Sequence, residues 1–295
     1  MNRPSFPARL PSGMPQTGAK PTVAAKILPA ITPKTIAARA YSMPASAPKG
    51  IEKPRKKAIS APTQSPTRDS AHGMGIDSAA VRARMVKLLA EGGITDAAVL
   101  GAMNTIERHR FVDTALAPQA YEDTSLPIGL GQTISKPNVV ARMIALLREG
   151  AALDAQGKMG RVLEIGSGCG YQAALLSLLC KEIYSMERLR GLYDKALVNI
   201  RHLSAHNLHL LLGDGMLGAK SGAPYAGIIA AAGGEAIPQA WVDQLAVGGR
   251  IVAPIHTKEG NGSAQSLIVI DKTARGLKQT VLESVLFVPL KSGVM

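Results

Sequence analysis

The chain has 295 residues, with 34 Lys and Arg against 21 Asp and Glu and a formal net charge of +13, a length that allows one or two domains. No run of about 18 apolar residues occurs and no secretory signal is evident, so neither a membrane span nor export is expected. Two cysteines, Cys169 and Cys180, cannot build a disulfide framework and fit reduced thiols in a cytoplasmic protein.

Residues 1–75 hold 12 of the 19 prolines, and carry 12 Lys and Arg against only Glu52 and Asp69. Such a Pro/Ala/Ser/Lys-rich stretch cannot bury a core and is expected to be disordered. Within it, Lys53-Pro54-Arg55-Lys56-Lys57 is a candidate contact for nucleic acid or an acidic surface, with a solvated linker as the preferred reading. The basic excess also fits an organelle transit peptide, although no amphipathic period is clear.

From residue 76 the pattern becomes that of a folded domain, 76–295. Asp77 or Ser78 caps a helix with apolar positions at Val81, Met85, Leu88 and Leu89, ending at Gly92-Gly93. Thr95 or Asp96 caps a second through Val99, Leu100 and Met103. A long loop runs from Ala117 to Ser135. Thr133, Ser135 and the first amides of a helix opened by Pro137 are a candidate anion site, although serine before such a helix is more often a cap. The buried stripe of that helix is Val140, Met143, Ile144 and Leu147. Strands at 161–165, 182–187, 208–212, 227–232 and 250–255 alternate with helical segments, the mark of a parallel α/β sheet. A helix from Pro238 to Ala246 is expected to stop at Gly248-Gly249. Ser266 to Asp271 and Thr280 to Pro289 predict two strands joined around Thr273 to Gly276, an antiparallel edge. His202 and His206 lack a third ligand nearby, so no metal site is expected.

The most informative run is Val162-Leu163-Glu164-Ile165-Gly166-Ser167-Gly168-Cys169-Gly170-Tyr171. It reads as strand, glycine turn and helix start, where a ligand can approach the backbone and the free N–H groups of the helix. Tyr171 stands where a dinucleotide fingerprint needs its third glycine, and no lysine follows to make a phosphate-binding loop. Glu187, at the end of the next strand, is placed to accept hydrogen bonds from a ribose, with a solvated charge beside Arg188 and Arg190 as the alternative. Asp214, in Gly213-Asp214-Gly215 after the third strand, is a candidate acceptor for an adenine amino group.

The pattern acid-x-Gly-x-Gly-x-Gly resembles motif I of S-adenosylmethionine-dependent methyltransferases. Pro127-Ile128-Gly129-x-Gly131-Gln132-Thr133-Ile134-Ser135-x-Pro137 resembles the signature of the protein-L-isoaspartate O-methyltransferase family. Arg108-His109-Arg110-Phe111-Val112 and Ala120-Tyr121-Glu122-Asp123 resemble that family's N-terminal cap, and Phe287-Val288-Pro289-Leu290 its last strand. The resemblance spans about 76–295. It implies a doubly wound Rossmann-like sheet, with 76–135 as helical cap and substrate loop and 136–295 as cofactor-binding core. It implies methyl transfer from S-adenosylmethionine to isoaspartyl carboxylates in damaged proteins and peptides, leaving S-adenosylhomocysteine, without a metal, in a monomer. Ser135 is then the active-site residue, and Gln132, Thr133 and Ile134 lie with it against the substrate. Glu164, Gly166, Ser167, Gly168, Gly170, Glu187, Asp214 and Gly215 would hold the cofactor. Three positions depart from the family pattern: Ala226 where Asp is usual, Ala231 where Thr is usual, and Leu130 at an often polar place. Ala226 and Ala231 motivate a rival reading as a non-catalytic cofactor binder. A second rival, a nucleic-acid base methyltransferase, lacks the Pro-Pro-aromatic motif, since Ala230-Ala231-Ala232-Gly233-Gly234 stands in its place.

Overall fold

The computed structural model describes residues 78–257 and 264–295. The extension 1–75, the basic run 53–57 and the candidate cap Asp77 lie outside the described residues. Two short helices come first, α1 (Ser78–Glu91) and α2 (Ala97–Thr105). Asp96 caps α2, its Oδ1 accepting the N–H groups of Ala98 and Val99 at 2.9 and 3.1 Å, which satisfies two of the helix's orphan donors. In α1 only Met85 and Leu89 are buried, one turn apart, whereas Leu88 is 55% exposed. Val81 is half-buried and packs on the same core, so three of the four apolar positions expected there, Val81, Met85 and Leu89, face inward.

The expected loop is partly a hairpin. After two 3-10 turns, β1 (Leu126–Gly129) pairs antiparallel with β2 (Gln132–Ile134). Its tip, Leu130-Gly131, has φ of 52° and 70°, the positive values that a two-residue hairpin turn demands. Leucine is a poor residue for that conformation, so the sequence carries no Asn-Gly or Asp-Gly signal for the turn. Helix α3 (Pro137–Glu149) buries Val140, Met143, Ile144 and Leu147 as expected.

The core follows as β3 (Met159–Ile165), α4 (Tyr171–Leu179), β4 (Cys180–Glu187), α5 (Arg190–Ile200), β5 (Leu208–Leu212) and β6 (Tyr225–Ala230). It closes with α6 (Gln239–Gln244), β7 (Leu245–Thr257), β8 (Ala264–Thr273) and β9 (Gly276–Val285). The seven strands lie in the order β5-β4-β3-β6-β7-β8-β9. The first five are parallel, and β8 and β9 add the antiparallel edge. Successive residues of β3 serve opposite faces: Val162 joins the core beneath the N-terminal helices, Leu163 the core around Trp241. That alternation is the two-residue period of a strand covered on both faces.

Three boundaries shift. Helix α6 is shorter than expected, because Leu245, 2% exposed, already pairs with Tyr225 in β7. Burying that leucine in the sheet outweighs one more helical turn. Ala231 and Ala232 lie past the end of β6. The last strand stops at Val285, and the chain then runs beside Gly233, whose N–H reaches the Val288 carbonyl at 2.8 Å. Chain order reverses between β3 and β6, and an open α/β sheet places its ligand outside the carboxyl ends of the strands at such a switch point.

Candidate active site

A cavity of about 480 Å³ opens at this switch point, within the range of small-ligand sites. Its floor is the glycine turn, Gly166 to Cys169, with Met186 to Leu189 beside it and Gly215, Ala231 and Ala232 at neighbouring strand ends. The hairpin and Gln132 to Ser135 form one wall, and Val288 to Lys291 with Met295 form another. Gly166, Gly168 and Gly170 have φ of 90°, 55° and 89°. A Cβ on Gly168 would also stand 3.1 Å from Ile128 Cδ1. Glycine here keeps the turn flat and lets the hairpin close over it.

Glu187 is 5% exposed and its carboxylate is pinned from the protein side. Oε2 accepts Gly168 N–H, and Oε1 accepts Arg188 and Leu189 N–H, each at 2.9 Å. The strand end, the glycine turn and the entry to α5 therefore share one carboxylate, which lines the cavity.

Of the sequence-derived candidates, Gln132, Thr133, Ile134, Ser135, Gly166, Ser167, Gly168, Glu187 and Gly215 line this cavity. Glu164, Gly170 and Asp214 do not. Gly170 sits behind the turn against Ala196 and Ile200. Asp214 gives one oxygen to Met216 N–H at 2.9 Å and the other to Gly293 N–H at 2.7 Å. It thus ties the C-terminal segment to β5. That segment is further latched by Arg188, whose carbonyl accepts Met295 N–H at 2.9 Å and whose Nε donates to the Gly293 carbonyl at 3.0 Å. The wall at 291 and 295 carried no motif and was invisible in sequence, as was the contribution of Arg188.

Glu164 is fully buried and meets the cavity lining through the Ser185–Ser167 hydroxyls and Gln172. Ser185 Oγ donates to Glu164 Oε2, and Ser167 Oγ lies 2.6 Å from Ser185 Oγ. Burial pushes its carboxyl from 4.5 to about 7, against the lowering effect of Ser185. Since the folded-state value lies above the unfolded one, its contribution to stability is fully present below pH 4.5 and is lost as pH rises through about 7, a change of up to about 3 kcal/mol. Glu164→Gln, uncharged throughout, is expected to lack this loss. Thermal melts of both proteins at the two ends of that window check it, and parallel pH profiles would refute the assignment. Burial likewise pushes the thiols of Cys169 and Cys180 up, to about 11 and about 12, so both are protonated and unreactive at neutral pH.

The anion site expected at the start of α3 changes form. The cap position is Lys136, with no side-chain hydrogen bond to the helix. Pro137 has no N–H, and that of Asn138 is donated to Asp123 Oδ1 at 2.8 Å. Ser135 is therefore free of capping, and lines the cavity. It also lines a second hollow, of about 380 Å³, bounded by Ser125, Lys136, Val139 and Ser284 to Phe287.

Comparison with known proteins identifies the family. Residues 80–295 match the family model described as protein-L-isoaspartate(D-aspartate) O-methyltransferase (PCMT). A protein-L-isoaspartate O-methyltransferase of Methylibium petroleiphilum is 59% identical over 222 residues, 75% of this chain and 81% of that one. One from Leptothrix cholodnii is 53% identical over 240 residues, 79% and 82% of the two chains. Among solved structures, a protein-L-isoaspartate O-methyltransferase superposes with a TM-score of 0.64 at 27% identity, over 72% of this chain and 67% of that one. A Plasmodium falciparum chain solved with S-adenosyl-L-homocysteine shares the fold, with a TM-score of 0.59 at 24% identity, over 71% and 98%. With a matching family model over 80–295 and relatives above half identity, the chain belongs to the protein-L-isoaspartate(D-aspartate) O-methyltransferase family.

Proposed function

We propose that the chain methylates the free carboxylate of L-isoaspartyl residues, using S-adenosylmethionine, at Ser135. The observation that carries this reading is that Ser135 is the one residue shared by the cofactor cavity and the second hollow. Donor and acceptor would meet there. The cavity suits the donor: its volume is adequate, Gly166 and Gly168 open its floor to close backbone approach, and Glu187 offers an acceptor to ribose hydroxyls.

When bound, S-adenosylmethionine supplies a methyl group on a sulfonium; the new C–O bond forms as the S–CH₃ bond breaks, with that electron pair going to sulfur. The acceptor carboxylate, with a pKa of about 4, is ionised at neutral pH and needs no general base. The protein's task is placement and exclusion of water. Ser135 serves it by orienting the carboxylate through its hydroxyl, and Gln132 to Ile134 by forming the wall beside it. The ester loses its alkoxide more readily than a carboxylate loses oxide, so the neighbouring backbone nitrogen closes a succinimide. Hydrolysis of that ring returns part of the material to normal aspartate. Radiolabelled methyl transfer to an isoaspartyl peptide, with the aspartyl isomer as control, tests the reading. Equal labelling of both would refute it.

Within the same reading, catalysis resides in 76–295, as a monomer in the cytoplasm. The family match from residue 80 onward supports the first, and two free, buried cysteines fit a reducing compartment. No helix among the described residues is long and apolar enough to cross a membrane. A fragment beginning at residue 76 is expected to turn over a small peptide at nearly the full-length rate, because ordering a Pro-rich extension would not be offset by burial. A large loss on truncation would assign the extension to the active fold.

A further inference from the structure

Arg108 is completely buried, yet forms no ion pair among the described residues. Burying a cation without a carboxylate is costly, so such a group calls for a reason. Its Nε donates to the Ala120 carbonyl and its Nη2 to the Ser135 carbonyl, both at 2.7 Å. The guanidinium lies 4.9 Å from the ring centre of Tyr171, the first residue after the glycine turn. Among the described residues its Nη1 is buried without an N, O or S acceptor at hydrogen-bond geometry, with Tyr171 the neighbouring side chain. Asp123, the nearby acid that acts on it through space, already accepts the Asn138 N–H. One cation thus fixes the backbone of Ser135 against the start of α4 and remains without a counter-ion.

We infer that Arg108 is a positioning residue that makes the acceptor side of the cavity selective for an anionic carboxylate. The inference rests on Ser135 as the acceptor site. A guanidinium in direct contact with the carboxylate would stabilise the reactant more than the transition state, because the negative charge disappears as the ester forms. Placed behind the Ser135 peptide group, the same charge attracts the carboxylate at a distance and leaves its oxygens free to react. The neutral ester is no longer held, which favours its departure. Ser135 supplies the direct hydrogen bond, and Arg108 supplies the field and the register.

The test compares an isoaspartyl peptide, as substrate, with its isoasparaginyl carboxamide, as competitive inhibitor. At an effective dielectric of about 20, a cation roughly 8 Å from a carboxylate favours it by about thirtyfold, so the wild type should prefer the acid by that order. Arg108→Gln removes the charge and keeps an NH₂ group at the place of Nε, beside the Ala120 carbonyl. It should raise KM for the acid by about the same factor while leaving the carboxamide's inhibition constant nearly unchanged. Arg108→Lys should retain most of the preference. Equal weakening of acid and carboxamide, or a fall in kcat with KM unchanged, would overturn the inference. If Arg108→Gln does not fold, loss of the preference in Arg108→Lys, charge retained, overturns it equally. Wild-type turnover without any preference for the acid refutes the role of Arg108 alone, whereas no wild-type turnover of the isoaspartyl peptide refutes the proposed function with it.

Discussion

Ser135→Ala is expected to lower methyl transfer to an isoaspartyl peptide by roughly 10²-fold, the cost of a reacting group misplaced by about 1 Å. Cofactor affinity should stay nearly intact, because the hydroxyl lies on the acceptor side and Glu187 and the glycine turn form the donor side. The stability change should be small. A serine cap replaced by alanine costs about 1 kcal/mol, but here Lys136 occupies the cap position and Ser135 makes no capping bond. Its tie to the protein is the backbone carbonyl held by Arg108, which alanine preserves. Melting temperature, cofactor titration and turnover on the same variant separate the two roles. A lowered melting temperature with unchanged turnover would return Ser135 to a purely structural part.

The glycine turn and the strand-end acid Glu187 were legible because backbone geometry dictates them: Gly166, Gly168 and Gly170 all take positive φ, and Glu187 ends β4 as its place in the strand required. The alternation of strands and helices likewise fixed the parallel core, since a residue such as Val162 or Leu163 must be apolar to be buried on either face. What escaped was set by distance in sequence. Asp214 stands out in Gly213-Asp214-Gly215, but its tie to Gly293, 79 positions later, does not. Glu164 stands in the motif, but its chemistry depends on Ser185 in the adjacent strand and on a burial that periodicity does not reveal. Arg108 looks like one more basic residue in Arg108-His109-Arg110. Only the fold removes it from water and sets it under Ser135. The hairpin was hidden for a local reason, a leucine in a conformation that leucine rarely adopts.

Glu187→Ala is expected to weaken S-adenosylmethionine binding by about 1.5–3 kcal/mol, the range for hydrogen bonds to a charged group, or roughly 10- to 150-fold in dissociation constant. Two losses contribute. The ribose hydroxyls lose their acceptor, and the N–H groups of Gly168, Arg188 and Leu189 lose the oxygens that hold the turn in register with β4. Glu187→Gln distinguishes them. It fills the same space but has one accepting oxygen instead of two, so either Gly168 N–H or the pair from Arg188 and Leu189 must face an amide NH₂. The glutamine variant should therefore bind nearly as poorly as alanine despite its size, and both should melt earlier than wild type. Calorimetric titration of the three proteins with S-adenosylhomocysteine measures this. Wild-type affinity in Glu187→Gln would show that the backbone donors need only one oxygen and that the carboxylate charge is not what the cofactor uses.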